Sequence, residues 1–129
     1  MIIDKYNKRA KKINSLLCIG LDADFAKIPK RFLKKKFPQF EFNKWIIKET
    51  HEYAVAFKPN SAFYEARGDK GIRELKMTMD YLIKNHPDIF TILDAKRGDI
   101  GNTNNGYITS IFDWLGFDAF TVYPYLGHE

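Results

Sequence analysis

Phe90-Thr91-Ile92-Leu93-Asp94-Ala95-Lys96 begins apolar and ends in two charges, two residues apart. A short apolar run of this kind reads as a buried strand of a parallel sheet. The pattern occurs twice upstream. Leu16-Leu17-Cys18-Ile19-Gly20-Leu21-Asp22 ends in an acid. Ala54-Val55-Ala56-Phe57-Lys58-Pro59-Asn60 reaches a lysine before Pro59 breaks it. The polar ends Asp22, Lys58 and Asp94 are 36 residues apart in both intervals (58 − 22 and 94 − 58). A fourth run, Ala119-Phe120-Thr121-Val122-Tyr123-Pro124, follows.

Helical patterns fill the intervals. Tyr6 to Asn14 reads as a short, basic opening helix. Residues 27–38, with Pro29 and Pro38, suggest an irregular connection holding one short helix. Asn43 to Tyr53 has Trp45, Ile46 and Glu49 at helical spacing. Gly68 and Gly71 are expected to flank a turn. Beyond them, Ile72, Leu75, Met79, Leu82 and Ile83 form an amphipathic stripe ending at Asn85-His86-Pro87. Ile108, Ile111, Phe112 and Leu115 predict a helix over 103–115, stopped by Gly116.

The order is therefore α, β, α, β, α, β, α, β, which implies parallel strands joined by right-handed crossovers. At about 32 residues per unit, eight units match the roughly 250 residues of a (β/α)8 TIM barrel. The α/β fold expected for residues 1–129 is the first four βα units, the N-terminal half of one barrel domain. Such a half leaves two open strand edges and an uncovered apolar face. The alternative is a small flavodoxin-like sheet, which usually carries a fifth strand and a closing helix.

Composition narrows the class. Hydrophobic residues are 45% and charged residues 29%, as in a globular chain. No apolar run approaches the ~18 residues of a membrane span, and the first residues carry no secretory h-region. One cysteine excludes an internal disulfide framework. A cytoplasmic, soluble protein is expected. Residues 1–50 hold 13 basic and 5 acidic side chains, against 8 and 11 in the remainder. Lys34-Lys35-Lys36 is the densest basic cluster, and it reads as a solvated surface rather than a nucleic-acid motif.

Sites in parallel α/β folds form at the carboxyl ends of strands. Asp22, Lys58, Asn60, Asp94 and Lys96 all fall there, and Asp99 follows on the next loop. Lys58 and Asn60 share a side, as do Asp94 and Lys96. Alternating charges compensate one another, whereas isolated buried charges are destabilising by several kcal/mol. A lysine held among carboxylates can stabilise a developing carbanion and return a proton to it. Lys96 and Asp99 are expected to hold each other in place. No Ser-His-Asp set, metal-spaced Cys/His cluster or P-loop is present. His51, His86 and His128 read as surface residues, and Cys18 as packing inside its strand.

Leu93-Asp94-Ala95-Lys96-Arg97-Gly98-Asp99-Ile100-Gly101-Asn102-Thr103 resembles the signature of the orotidine 5'-phosphate decarboxylases, whose core is Asp-x-Lys-x-x-Asp. Leu17 to Asp22, Phe57-Lys58-Pro59-Asn60-Ser61-Ala62-Phe63-Tyr64-Glu65 and Thr121 to Gly127 resemble further blocks of that family, in order. Together they look like its longer bacterial subgroup. The resemblance implies conversion of orotidine 5'-monophosphate to uridine 5'-monophosphate and carbon dioxide, in pyrimidine (UMP) biosynthesis. It implies a catalytic tetrad of Lys58, Asp94, Lys96 and Asp99. Lys96 would stabilise and protonate the C6 carbanion, and Asp94 would lie near the departing carboxylate. Lys58 and Asp22 would hold the ribose hydroxyls, with Asn60 nearby. Asp99, Ile100 and Thr103 would reach into the partner's site of a homodimer. No cofactor or metal is implied.

The family's phosphate-binding arginine and lid belong to the last barrel strands, outside the resemblance. This chain alone is therefore expected to be inactive. Two rivals stay open: a magnesium-dependent sugar-phosphate decarboxylase of the same barrel group, and a non-catalytic nucleotide-binding module. Arg97-Gly98-Asp99 also spells an integrin-binding tripeptide, but Gly98 reads more simply as the turn after the third strand.

Overall fold

The structure, a computed structural model, describes residues 1–126. Gly127 and His128, to which two of the sequence expectations refer, lie outside the described residues. The elements are α1 (Ile2–Ile13), β1 (Cys18–Gly20), a 3-10 turn (Phe25–Lys27), α2 (Lys30–Leu33), α3 (Pro38–Thr50), β2 (Ala56–Lys58), α4 (Ala62–Glu65), α5 (Gly68–Asn85), β3 (Phe90–Arg97), α6 (Gly101–Ile108), a π-helix (Thr109–Leu115) and β4 (Ala119–Val122). The four strands pair in parallel in the order β1-β2-β3-β4. A flavodoxin-like sheet reverses its strand order at a switch point. The unbroken order here is that of a barrel wall.

Helices cover one face of this wall. Leu21, Phe57, Leu93 and Ala95 pack there with Ile47, Leu75, Met79, Leu82 and Ile111. A second cluster sits near the amino ends of the strands, where Tyr6, Ala10 and Ile13 of α1 meet Val55, Ala56 and Phe90. No helix among the described residues is long and apolar enough to cross a membrane.

Several expectations are corrected. The first apolar run is strand only over Cys18–Gly20 and is not buried along its length: Leu16 is 75% exposed, Leu17 is 50% exposed and Cys18 is exposed, while Leu21 is buried. Among the described residues β1 pairs with β2 alone, so an apolar run written for two neighbours has one. Cys18 is therefore not core packing. Its partial burial pushes the thiol pKa up, opposed by the charge of Lys58 and assisted by that of Asp22.

Gly71 lies inside α5 and does not flank a turn. A Cβ there would stand 1.9 Å from the Tyr64 carbonyl oxygen, so the glycine lets α5 lie against α4. α3 begins at Pro38 rather than Asn43, since proline's missing N–H costs nothing in a first turn. The single helix expected over 103–115 is α6 running into the π-helix. The wider π turn buries Ile111 and Leu115 and leaves Ile108 and Phe112 exposed, so the expected stripe divides.

His51 and His86 are half-buried, with their rings 4.5 Å apart, rather than simple surface residues. Burial first, and His51 second, lower the His86 pKa.

The basic opening helix buries one of its cations. Arg9 is buried and donates to the Ala54 carbonyl (3.2 Å), the His51 carbonyl (2.5 Å) and Asp88 (2.9 Å). One guanidinium thus ties α1 to the segment after α3 and the loop before β3. Arg9→Ala would leave two carbonyl oxygens without their donor. It is expected to destabilise the fold by about 2 kcal/mol. Urea denaturation checks this, and an unchanged midpoint would show that water replaces the guanidinium.

Candidate active site

The carboxyl ends of β1, β2 and β3 converge on Asp94. Its Oδ2 accepts a hydrogen bond from Lys58 Nζ at 3.0 Å and a longer one from Asn60 Nδ2 at 3.4 Å. Its Oδ1 accepts from Lys96 Nζ and, at 3.0 Å, from the Thr121 hydroxyl. Asp22 stands on the other side of Lys58, with its Oδ2 3.8 Å from Nζ. The other Asp22 oxygen accepts the backbone N–H of Asn60 at 2.8 Å. Asp22, Lys58, Asn60, Asp94 and Lys96 are therefore brought together as expected.

Local backbone features make this convergence possible. Pro59 ends β2, having no N–H to donate, while its carbonyl accepts from Asp94 N at 2.9 Å. Asn60 continues the pairing as an isolated bridge to Asp94. The register between β3 and β4 shifts between Leu93 and Arg97, and Lys96 adopts φ 49°. A left-handed conformation is unfavourable by roughly 1–2 kcal/mol for a residue with a Cβ. Strain of this kind gathers at functional sites, where the surroundings over-determine it. Here the Lys96 N–H and the Ala95 N–H both donate to Thr121 Oγ1, at 3.0 and 3.1 Å. The Thr121 hydroxyl then donates to Asp94, so all its hydrogen-bonding capacity is used.

Asp99 departs from expectation. It does not pair with Lys96. Its Oδ1 accepts from Ile100 N at 2.7 Å, and its backbone N–H donates to Asn104 Oδ1 at 2.9 Å. Asp94 lies on the same strand as Lys96 and takes its ammonium, whereas the chain has turned away before Asp99. Gly98 allows that turn by close approach: a Cβ there would be 2.8 Å from the Tyr123 carbonyl oxygen. Ile100 and Thr103 are exposed beside Asp99, at the start of α6. Among the described residues, no hydrogen bond or ion pair joins these three to the Asp94 cluster.

The electrostatics follow from the contacts. The hydrogen bond from Lys96, then that from Lys58, hold the Asp94 carboxyl at about 2, with burial opposing them. Burial acts to lower the Lys58 pKa, but the hydrogen bond to Asp94 and the nearby negative charges outweigh it and raise it. Because the folded Asp94 value lies below the unfolded one, its contribution to stability is present above about pH 4. That contribution is lost as pH falls through about 2. Asp94→Asn is expected to flatten this acid limb when urea midpoints are compared between about pH 5 and 2. An unaltered limb would mean that other carboxylates govern it.

Sequence reasoning missed two contributors. Thr121 was within reach, because its hydroxyl occupies the end of a fourth strand as the charged residues do on the other three. Tyr64 carried no such signal. Its buried hydroxyl donates to the Leu21 carbonyl at 2.7 Å and accepts from Asn43 at 2.9 Å, which fixes the backbone just before Asp22. Burial pushes its pKa out of the ordinary range, so it acts as a neutral donor.

Chemically, the cluster is an exposed ammonium, Lys96, oriented by an ionised carboxylate that a second ammonium also holds. It can stabilise negative charge developing on a ligand at the open face and then supply a proton.

Residues 15–129 match the family described as orotidine 5'-phosphate decarboxylase / HUMPS. The chain is 51% identical over all 129 residues to an orotidine 5'-phosphate decarboxylase of Christiangramia forsetii, covering 47% of that protein. It is 49% identical over the same length to the Flavobacterium johnsoniae protein of that name, again covering 47%. The solved OMP decarboxylase of Leishmania donovani superposes with a TM-score of 0.80 at 40% identity, over 98% of this chain and 45% of that one. The chain thus spans about half the length of the curated relatives it matches.

Proposed function

The chain belongs to the orotidine 5'-phosphate decarboxylase / HUMPS family, and from that premise we propose that it carries the charged half of an orotidine 5'-monophosphate decarboxylase site. In this reading the bond from C6 of the pyrimidine to its carboxylate breaks and carbon dioxide leaves. The electron pair remains on C6, and the Lys96 ammonium delivers a proton there to give uridine 5'-monophosphate. Water then reprotonates Lys96. Asp94 holds Lys96 and lies beside the departing carboxylate, while Lys58 and Asp22 hold the ribose hydroxyls, with Asn60 nearby. Lys96 supplies the cationic charge, so the reaction proceeds without a cofactor. The protein works in the cytoplasm as a homodimer, in which Asp99, Ile100 and Thr103 complete the partner's site.

The observation that carries this reading is Asp94 held by both Lys58 and Lys96 at the strand ends. Asp99, turned away from its own cluster and placed beside exposed Ile100 and Thr103, supports the exchange between protomers. The family description is broader than one reaction, and a sugar-phosphate decarboxylase requiring magnesium is the rival within it. The roughly 50% identity to relatives named orotidine 5'-phosphate decarboxylase favours the first reading.

Remote phosphate binding drives catalysis on such substrates. The test is loss of orotidine 5'-monophosphate ultraviolet absorbance, with this chain alone and with a separately produced C-terminal half-barrel of a full-length relative. Activity is expected only in the mixture, without added magnesium. Full activity of the 129 residues alone would overturn the role given to remote phosphate contacts. Magnesium-dependent turnover of a sugar phosphate would favour the rival.

A further inference from the structure

Lys35 and Lys36, at the turn between α2 and α3, meet Lys70 and Arg73 of the first turns of α5 around a cavity of about 350 Å³. It shares no lining residue with the Asp94 cluster. Its lining includes Arg67 and Glu74, whose side chains pair at 2.8 Å and are mostly buried. Arg67 also donates to Gln39 Oε1 at 2.7 Å, and Glu74 accepts the Phe40 N–H at 2.8 Å. The one carboxylate among the described lining residues is therefore already neutralised.

The other four cations differ. Among the described residues, none of Lys35, Lys36, Lys70 and Arg73 has a carboxylate within 4 Å or a side-chain hydrogen bond. Other exposed cations, such as Lys8, Lys30 and Lys84, are likewise unpaired among the described residues, but these four line one cavity together. Glu41 and Asp69, in the first turns of α3 and α5, do not line the cavity. Like charges converging on a concavity repel one another and focus a positive potential into it. A multiply charged anion relieves that repulsion by bridging them.

We infer that this cavity is a binding site for a small molecule bearing two or more phosphate groups. Ammonium groups and an arginine fork are the side chains that match phosphate oxygens. The volume falls in the range of small-ligand sites, roughly 300–1,000 Å³. Phe37 and Pro38 provide an apolar wall for an organic body. A single-stranded nucleic acid fits less well. Phe37 is the one aromatic residue in the lining, and the Lys36 ammonium already lies over its ring, 5.4 Å from the centroid. A single ring does not supply the series of stacking platforms on which single strands lay successive bases.

The experiment is calorimetric titration of the 129-residue chain with inorganic pyrophosphate at low ionic strength. Saturable one-site binding is expected. The double variant Lys70→Glu/Arg73→Glu should weaken it by about tenfold or more, since two attractive contacts become repulsive. Lys58→Ala should leave it unchanged. Circular dichroism checks that the double variant folds, and Lys36→Glu alone serves if it does not. Absence of saturable binding, or binding insensitive to these reversals, overturns the site. Loss of binding in Lys58→Ala also overturns it, by placing the anion at the Asp94 cluster. Tighter binding of an oligodeoxynucleotide through the same residues would make the surface a nucleic-acid one instead.

Discussion

Lys96→Ala is expected to lower orotidine 5'-monophosphate decarboxylation by at least about 10⁴-fold in the complemented mixture, with the fold intact. Two effects vanish together. Loss of a fixed charge facing a developing anion removes about 10²–10³ in rate. Loss of the proton donor removes a further 10²–10⁴, approximately. The fold should survive because Lys96 is 64% exposed and its ammonium binds Asp94 alone among the described residues, and Asp94 keeps Lys58, Asn60 and Thr121. Lys96→Arg separates the two effects. Its guanidinium retains positive charge but does not give up a proton at neutral pH. It should recover part of the charge effect and none of the proton transfer. If Lys96→Ala loses less than tenfold, another residue protonates the product and the role assigned to Lys96 is wrong.

Gly71→Ala carries the largest expected effect on stability. Helix propensity alone predicts a gain of about 1 kcal/mol, because glycine is the poorer helix former. Sterics reverse the sign. The new Cβ would lie 1.9 Å from the Tyr64 carbonyl oxygen and 2.9 Å from Arg67 Cβ. The nearest obstacle is backbone, so α4 and α5 must separate rather than a side chain rotate. A loss of about 4 kcal/mol is expected, at the upper end for overpacking. The damage should also reach the site. Tyr64 belongs to the displaced α4 and holds the Leu21 carbonyl, directly before Asp22. Thermal or urea denaturation measures the first effect. A stabilised Gly71→Ala protein would mean that α5 has room to shift without disturbing α4.

The sequence by itself determined the alternation of strands and helices and the charge at the end of each of three strands. It also placed Asp22, Lys58, Asn60, Asp94 and Lys96 as one group. Periodicity and strand-end position are properties of single elements, and parallel pairing carries each strand's end to the same side of the sheet. The family resemblance was legible for a related reason, since its motifs are contiguous at those strand ends.

Tertiary structure decided which opposite charges meet. Lys96 joins Asp94 rather than Asp99 because both lie on β3, where the register shifts and Lys96 takes a left-handed conformation, and the chain turns away before Asp99. Thr121 became part of the site because β4 lies beside that shift. Gly71 proved to be a packing residue because α4, which the sequence did not announce, occupies the space where a side chain would stand. Arg9 left the surface because the carbonyls of His51 and Ala54 turn toward α1. The exposure of Leu16 and Leu17 followed from β1 having one neighbour. Each outcome depends on the distance between residues far apart in the chain, and a pattern along one element carries no information about that distance.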